Sequence, residues 1–283
     1  MRRIAAALAV ALACGSCGSQ RETAPLQGSA RVVRTAVIGG MVMTGLWPEL
    51  AKRFEAASGY KVEVAAAGPR PVISEAFRAG KADLLTMHSG DITTDLVADG
   101  YGVNMRPWTR NDLVIVGPAA DPAGIAGLAD GAEALRRIAR AEAPFVDFRG
   151  IGTREMCHKL WQRAGIEPKG PWVVPDESAG HLDALTFARK RGAYIIVGRM
   201  PVRFGKLKAE GMKTLVEGDP EMRRPYVVME ANPARFPQAN VAGARALADF
   251  LLSEETQKFL AEFGAREHGG IPLFHPVTGA PSG

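Results

Sequence analysis

Two glycines and two arginines stand where this chain could hold an anion. Gly39 and Gly40 follow a β-branched run over residues 31–38, at a strand-to-helix turn. Lacking side chains, they let backbone amides approach a ligand closely; the alternative is that they only permit a tight turn. Arg70 sits in the stiff turn Gly68-Pro69-Arg70-Pro71, where a guanidinium makes a fork for a carboxylate or phosphate. Arg199 opens a predicted helix, and a cation there opposes the helix dipole unless an anion or an acid pairs with it. Catalytic patterns are missing: there is no GxSxG elbow, no P-loop and no HExxH. The five histidines, His88, His158, His181, His268 and His275, show no metal-ligand spacing. Cys157 and His158 are neighbours on a predicted helix and face different directions. A binder of a small anionic ligand is expected, not an enzyme, with no cofactor and no metal.

The rest of the chain must position those residues outside the cytoplasm. Residues 1–13 read as an export signal, with Arg2 and Arg3 ahead of an apolar run too short to span a bilayer. The run ends in Val10-Ala11-Leu12-Ala13-Cys14, which resembles the cleavage box of bacterial lipoproteins. Cys14 is therefore expected to carry a lipid that anchors the protein to the membrane in the periplasm; the alternative is a soluble signal with an unrelated cysteine. Residues 14–30 mix Gly, Ser, Gln and Pro without periodicity and read as a flexible tether. Only Cys157 remains in the folded part, which excludes a disulfide scaffold or a cysteine zinc site. The formal charge of +5 falls to +3 without Arg2 and Arg3, a mild excess that suits an anionic ligand or simply a mixed surface. Nucleic acid is not an expected partner.

Alternating strands and helices follow. Residues 31–38, 61–66 and 82–87 read as strands, each followed by a helical pattern, the first with Leu46, Leu50 and Phe54 on one stripe. A strand at 111–118 ends in Gly-Pro, and a second set of units begins there, with a helix expected at 154–164 and another at 201–210. Two closing helices place Val241, Leu247 and Leu251, then Phe259, Leu260 and Phe263, inward. The Gly/Pro-rich tail beyond Gly264 is expected to wrap a surface, and Trp108, Trp161 and Trp172 read as packing residues.

In this order and spacing, Thr44-Gly45-Leu46, residues 100–104 (GYGVN), residues 110–118 (RNDLVIVGP), residues 165–172 (GIEPKGPW) and residues 216–220 (VEGDP) carry a family likeness. The chain resembles the substrate-binding proteins of tungstate-type ABC transporters, a branch of the type II periplasmic-binding-protein superfamily. The resemblance implies an α/β fold of two lobes, each a mixed, mostly parallel sheet flanked by helices, with two crossover strands as hinge. It places lobe 1 at 31–112 and 217–283 and lobe 2 at 113–216, with an oxyanion in the interlobe cleft and an ABC permease as partner to a monomer. Thr44 belongs to the motif, and Ser89, in the retained His-Ser pair, is the best remaining hydroxyl contact; Asp91 is expected to cap the next helix, and His88 to serve a structural hydrogen bond. In the second lobe Arg149, Thr153 and Arg154 fall on or next to the family's ligand positions, and Arg199 keeps the family's arginine after the following strand. The departures are as informative. Where the family has a run of threonine and serine, residues 37–41 read Val-Ile-Gly-Gly-Met, so hydroxyl donors give way to glycine and apolar side chains. Cationic side chains gain while neutral donors are lost, which opens the ligand to carboxylates or larger anions. The apolar loop also motivates an alternative, a sensor or protein-binding module on the same fold that has lost oxyanion affinity.

Overall fold

The computed structural model describes residues 31–150, 153–178 and 183–277, so the expected signal, Cys14 and the tether lie outside the described residues. β1 (Val32–Ile38) runs parallel to β2 (Lys61–Gly68) on one side and β3 (Leu84–His88) on the other. Between them run α1 (Gly39–Met43), α2 (Leu46–Ser58) and α3 (Arg70–Arg78), and α4 (Asp91–Ala98) follows β3. α2 buries Leu46, Leu50 and Phe54, the expected stripe, together with Trp47. Each such side chain contributes about 1.5–3 kcal/mol by leaving water.

β4 (Gly102–Pro118) then carries the chain into a second set of units: α5 (Gly131–Arg140), β5 (Phe145–Asp147), α6 (Arg154–Ala164), β6 (Val173–Pro175), α7 (Ala184–Lys190), β7 (Tyr194–Gly198), α8 (Arg199–Arg203) and β8 (Met212–Val216). β9 (Arg223–Ala231) returns, followed by α9 (Val241–Leu252), α10 (Glu254–Glu262) and β10 (His275–Pro276). The strand order is β2-β1-β3-β9-β4-β7-β5-β6, with β8 and β10 also on β4. The two expected sheets are thus joined, because residues 102–112 of β4 pair antiparallel with β9 while residues 113–118 pair with β7 and β8. One buried apolar cluster gathers residues from Val33 to Trp108 and from Tyr226 to Phe274, with Met200. Two others gather Leu113 to Met222.

Several local expectations change. The helix expected at 201–210 stops at Arg203, because Gly205 turns with φ +67° and the Leu207 amide bonds back to the Pro201 carbonyl. Asp91 is the first residue of α4 and not its cap; Thr93 Oγ1 accepts the Gly90 amide instead, at 3.0 Å. Val241 is exposed, since it opens α9 ahead of the stripe that buries Leu247 and Leu251. The tail follows the surface, exposed or half-buried, only as far as Pro272; Leu273 and Phe274 are then buried in the first cluster, and β10 adds to β4. No described helix is long and apolar enough to cross a membrane.

Candidate functional site

Parallel β-strands deliver their carboxyl ends, and the turns after them, to one edge of a sheet, which is where ligands gather in open α/β folds. Here the turns after β1, β2, β3, β5 and β7 meet around a recess of about 540 Å³. Its floor comes from the two long crossing strands, where the antiparallel register sets Asn111 opposite Arg224 and Thr109 opposite Tyr226. α3 begins at the recess behind Pro69 and α6 begins there behind Thr153, and neither has a side-chain cap. α5, α9 and α10, which start elsewhere, are capped by Asp130, Asn240 and Ser253.

The polar atoms at this recess are unusual in lacking partners. Arg70 Nε, His88 Nε2, Arg224 Nε and Asn111 Oδ1 are all buried and unpaired, although buried polar groups are ordinarily bonded. Arg70 is only 7% exposed and is the first residue of α3, so its positive charge sits at the positive end of the helix dipole. Its one hydrogen bond runs from Nη2 to the Ser89 carbonyl at 3.3 Å, and among the described residues it forms no ion pair. Burial lowers its pKa, as it lowers that of Arg224, whose charge Arg70 further opposes. Burial first, then Arg224 and Arg70, hold His88 well below the ordinary histidine range, so its imidazole is neutral, with its ring 4.2 Å from that of Tyr226. Asn111 Nδ2 donates to Tyr226 Oη at 2.8 Å, which frees the phenol proton to point into the recess. Burial pushes the Tyr226 pKa up, keeping that proton in place. Two guanidiniums with no acid bonded to them, Glu155 and Asp91 acting on Arg70 only through space, together with a neutral imidazole and a phenol make a site that an anion would complete.

Comparison with known proteins adds the family. The profile of the bacterial extracellular solute-binding proteins matches residues 35–266. The chain belongs to that family. Extracellular solute-binding proteins work outside the cytoplasm, and the family is one of binders and not of enzymes. Among relatives, the tungstate-binding protein TupA of Peptoclostridium acidaminophilum is 30% identical over 96% of this chain and 96% of its own. The solved structure of TupA from Desulfovibrio alaskensis G20 is 29% identical, covers 87% of this chain and 98% of its own, and superposes with a TM-score of 0.69. The tungstate ABC transporter structure from Geobacter sulfurreducens is 31% identical over 83% of this chain and all of its own, with a TM-score of 0.66. The resemblance to tungstate-type substrate-binding proteins, and the mixed α/β fold that goes with it, therefore hold.

Within this solute-binding fold the recess brings together Gly39, Gly40, Arg70, Arg149 and Thr153. Neither glycine has positive φ, so a tight turn does not require them, and a Cβ on Gly40 would meet nothing within 4 Å. Arg149 is exposed at the rim, while Thr153 is 3% exposed. Thr44, Ser89, Arg154 and Arg199 do not line the recess. The Thr44 hydroxyl bonds back to the Gly40 carbonyl at 2.9 Å, closing the end of α1. Ser89 is engaged through its backbone, its carbonyl accepting from Arg70 and its amide donating to the Pro225 carbonyl at 3.0 Å. Arg154 follows Thr153 by one helical step of about 100° and points into a second cavity with His158 and Trp161. Arg199 is 1% exposed and wholly engaged, 3.5 Å from Asp112 and 3.3 Å from Glu217, with bonds to the carbonyls of His268, Ile271 and Pro272. An acid does pair with it, the alternative that its place at a helix start left open. His88 is a lining residue with an unpaired nitrogen and does not make the structural hydrogen bond expected of it. Asn111, Arg224, Tyr226 and Lys206 also line the recess and were not singled out from sequence. Cys157 is buried and its thiol is pushed up to about 12, mainly by burial, so it is inert.

Proposed function

We propose that this protein captures a small anion in the recess, outside the cytoplasm, and hands it to an ABC permease. The observation that carries the reading is Arg70, a buried guanidinium at a helix start with an unpaired Nε, beside a second unpaired guanidinium from Arg224. Arg70, Arg224 and neutral His88 form the centre of the ligand set; Gly39 and Gly40 supply backbone, Thr153 a hydroxyl, and Arg149 charge at the rim. The names of the relatives make tungstate and related oxyanions the first ligands to try.

The same reading takes residues 31–112 and 217–283 as one lobe and 113–216 as the other. The separation of buried apolar clusters near residue 112 supports this, and Met222, which packs with the second group, moves the return crossing towards Arg223. The recess then lies between lobes that close over the ligand by bending at β4 and β9. Cys14, as a lipid anchor, would hold this monomer near its permease.

The test is thermal unfolding and calorimetry of the mature chain with tungstate, molybdate, sulfate, phosphate and a set of carboxylates. At a hundred times its Kd, a ligand stabilises the fold by about 2.7 kcal/mol, a rise of about 5–10 °C in Tm for a chain of this size. If no anion moves the Tm, the transport reading fails.

A further inference from the structure

The walls of the recess say more than its floor. A bare tetrahedral oxyanion presents acceptors in every direction, so a site that strips its water must answer with donors on every side. Here the buried side-chain donors are concentrated at Arg70, His88, Arg224 and Tyr226, joined by the Thr153 hydroxyl and the amides of Gly39 and Gly40, while Arg149 and Lys206 are exposed at the rim. The remaining wall is largely hydrocarbon: Ile38 and Met43 frame the β1–α1 turn, and Met200 and Pro201 stand at the start of α8. That turn carries no hydroxyl anywhere from Val37 to Met43, and Gly40 opens onto empty space where a side-chain donor would fit.

Resting on the anion-capture reading, we propose that the ligand of this recess is an organic carboxylate with an apolar body. Its carboxylate sits between Arg70 and Arg224 with a hydrogen bond to His88, and its hydrocarbon lies against Met43 and Met200. A guanidinium edge matches a planar carboxylate in geometry as well as charge. Methionine side chains adapt to irregular apolar shapes, and such a body recovers hydrophobic free energy that an inorganic ion cannot. The size agrees: about 540 Å³ falls within the range of sites that enclose small organic molecules.

Calorimetry on the mature chain decides this with benzoate, phenylacetate and hexanoate on one arm and tungstate, molybdate, sulfate and phosphate on the other. At least one of the three carboxylates is expected to bind tenfold or more tightly than every tetrahedral ion. Met43→Thr, at a half-buried position, is expected to weaken the best carboxylate by about tenfold, as loss of hydrophobic contact predicts. A tetrahedral oxyanion binding as tightly as, or more tightly than, the carboxylates overturns the organic-ligand inference and leaves anion capture standing. Silence from both arms overturns anion capture itself.

Discussion

Replacing Arg70 with methionine removes the charge while nearly keeping the volume, and it separates a ligand residue from a structural one by sign. In the empty protein the guanidinium is almost fully buried, at the positive end of α3, without an acid bonded to it. An unpaired buried charge costs several kcal/mol; allowing for the recess beside it, about 2–3 kcal/mol is relieved by R70M. Against this stands the lost bond to the Ser89 carbonyl, which at 3.3 Å is long for its kind and worth about 1 kcal/mol. The net expectation is a ligand-free protein more stable by about 1–2 kcal/mol, or about 2–8 °C in Tm. Binding moves the other way: losing charge-assisted hydrogen bonds of about 1.5–3 kcal/mol weakens the anion by about 10- to 150-fold. Scanning calorimetry without ligand and titration calorimetry with it give both numbers on one preparation. A variant that melts lower than wild type yet binds as well would show that Arg70 is a packing residue and refute the reasoning.

Arg199→Gln is expected to do the opposite, costing about 3 kcal/mol in urea unfolding because Asp112 and three carbonyls lose a partner, while affinity stays within twofold; lost binding at full stability would contradict it. Gly90→Ala should damage both properties, since Gly90 has φ +149° and a Cβ there would stand 2.6 Å from Arg70 Nη2. Tm should fall by the equivalent of about 1–3 kcal/mol and affinity by about tenfold, and an alanine variant with native titration curves would rule out that crowding. His88 is kept neutral in the fold but takes a proton near pH 6.5 when unfolded, so its share of stability is intact above that pH and erodes below it. Between pH 7.5 and 5.5 the wild type should lose about 1 kcal/mol more than His88→Gln, and parallel urea-derived curves would disprove the assignment.

What could be seen in the sequence was local. α6 spans 154–164 as read, because Gly165, with φ +71°, stops it where a glycine is needed. The β1 and α2 patterns were equally legible: β1 is a β-branched run buried on both faces from Thr35 to Ile38, and α2 has one period and one buried face. Of the candidate site, Gly39, Gly40 and Arg70 were legible where a single turn builds it, and Arg149 and Thr153 through the family likeness. Arg70 and Arg199 both open helices, and no nearby residue tells them apart; Asp112 from β4 and Glu217 beyond β8 do so, by reaching one and not the other. Arg224 and Tyr226 were hidden for the same reason: they enter the recess through the pairing of β9 with β4, and that register is a property of the assembled sheet.

The place of β9 has a consequence for how the protein is made. It fills the gap between β3 and β4, and the last strand, β10, is fastened by His275 to Asp112 at 2.8 Å. Strands β1 to β4 therefore emerge from the ribosome well before the strand that fills the middle of their sheet. Non-local pairing of this kind also makes folding slow. The order of its strands thus leaves the first units without a complete sheet until β9 and β10 have followed them.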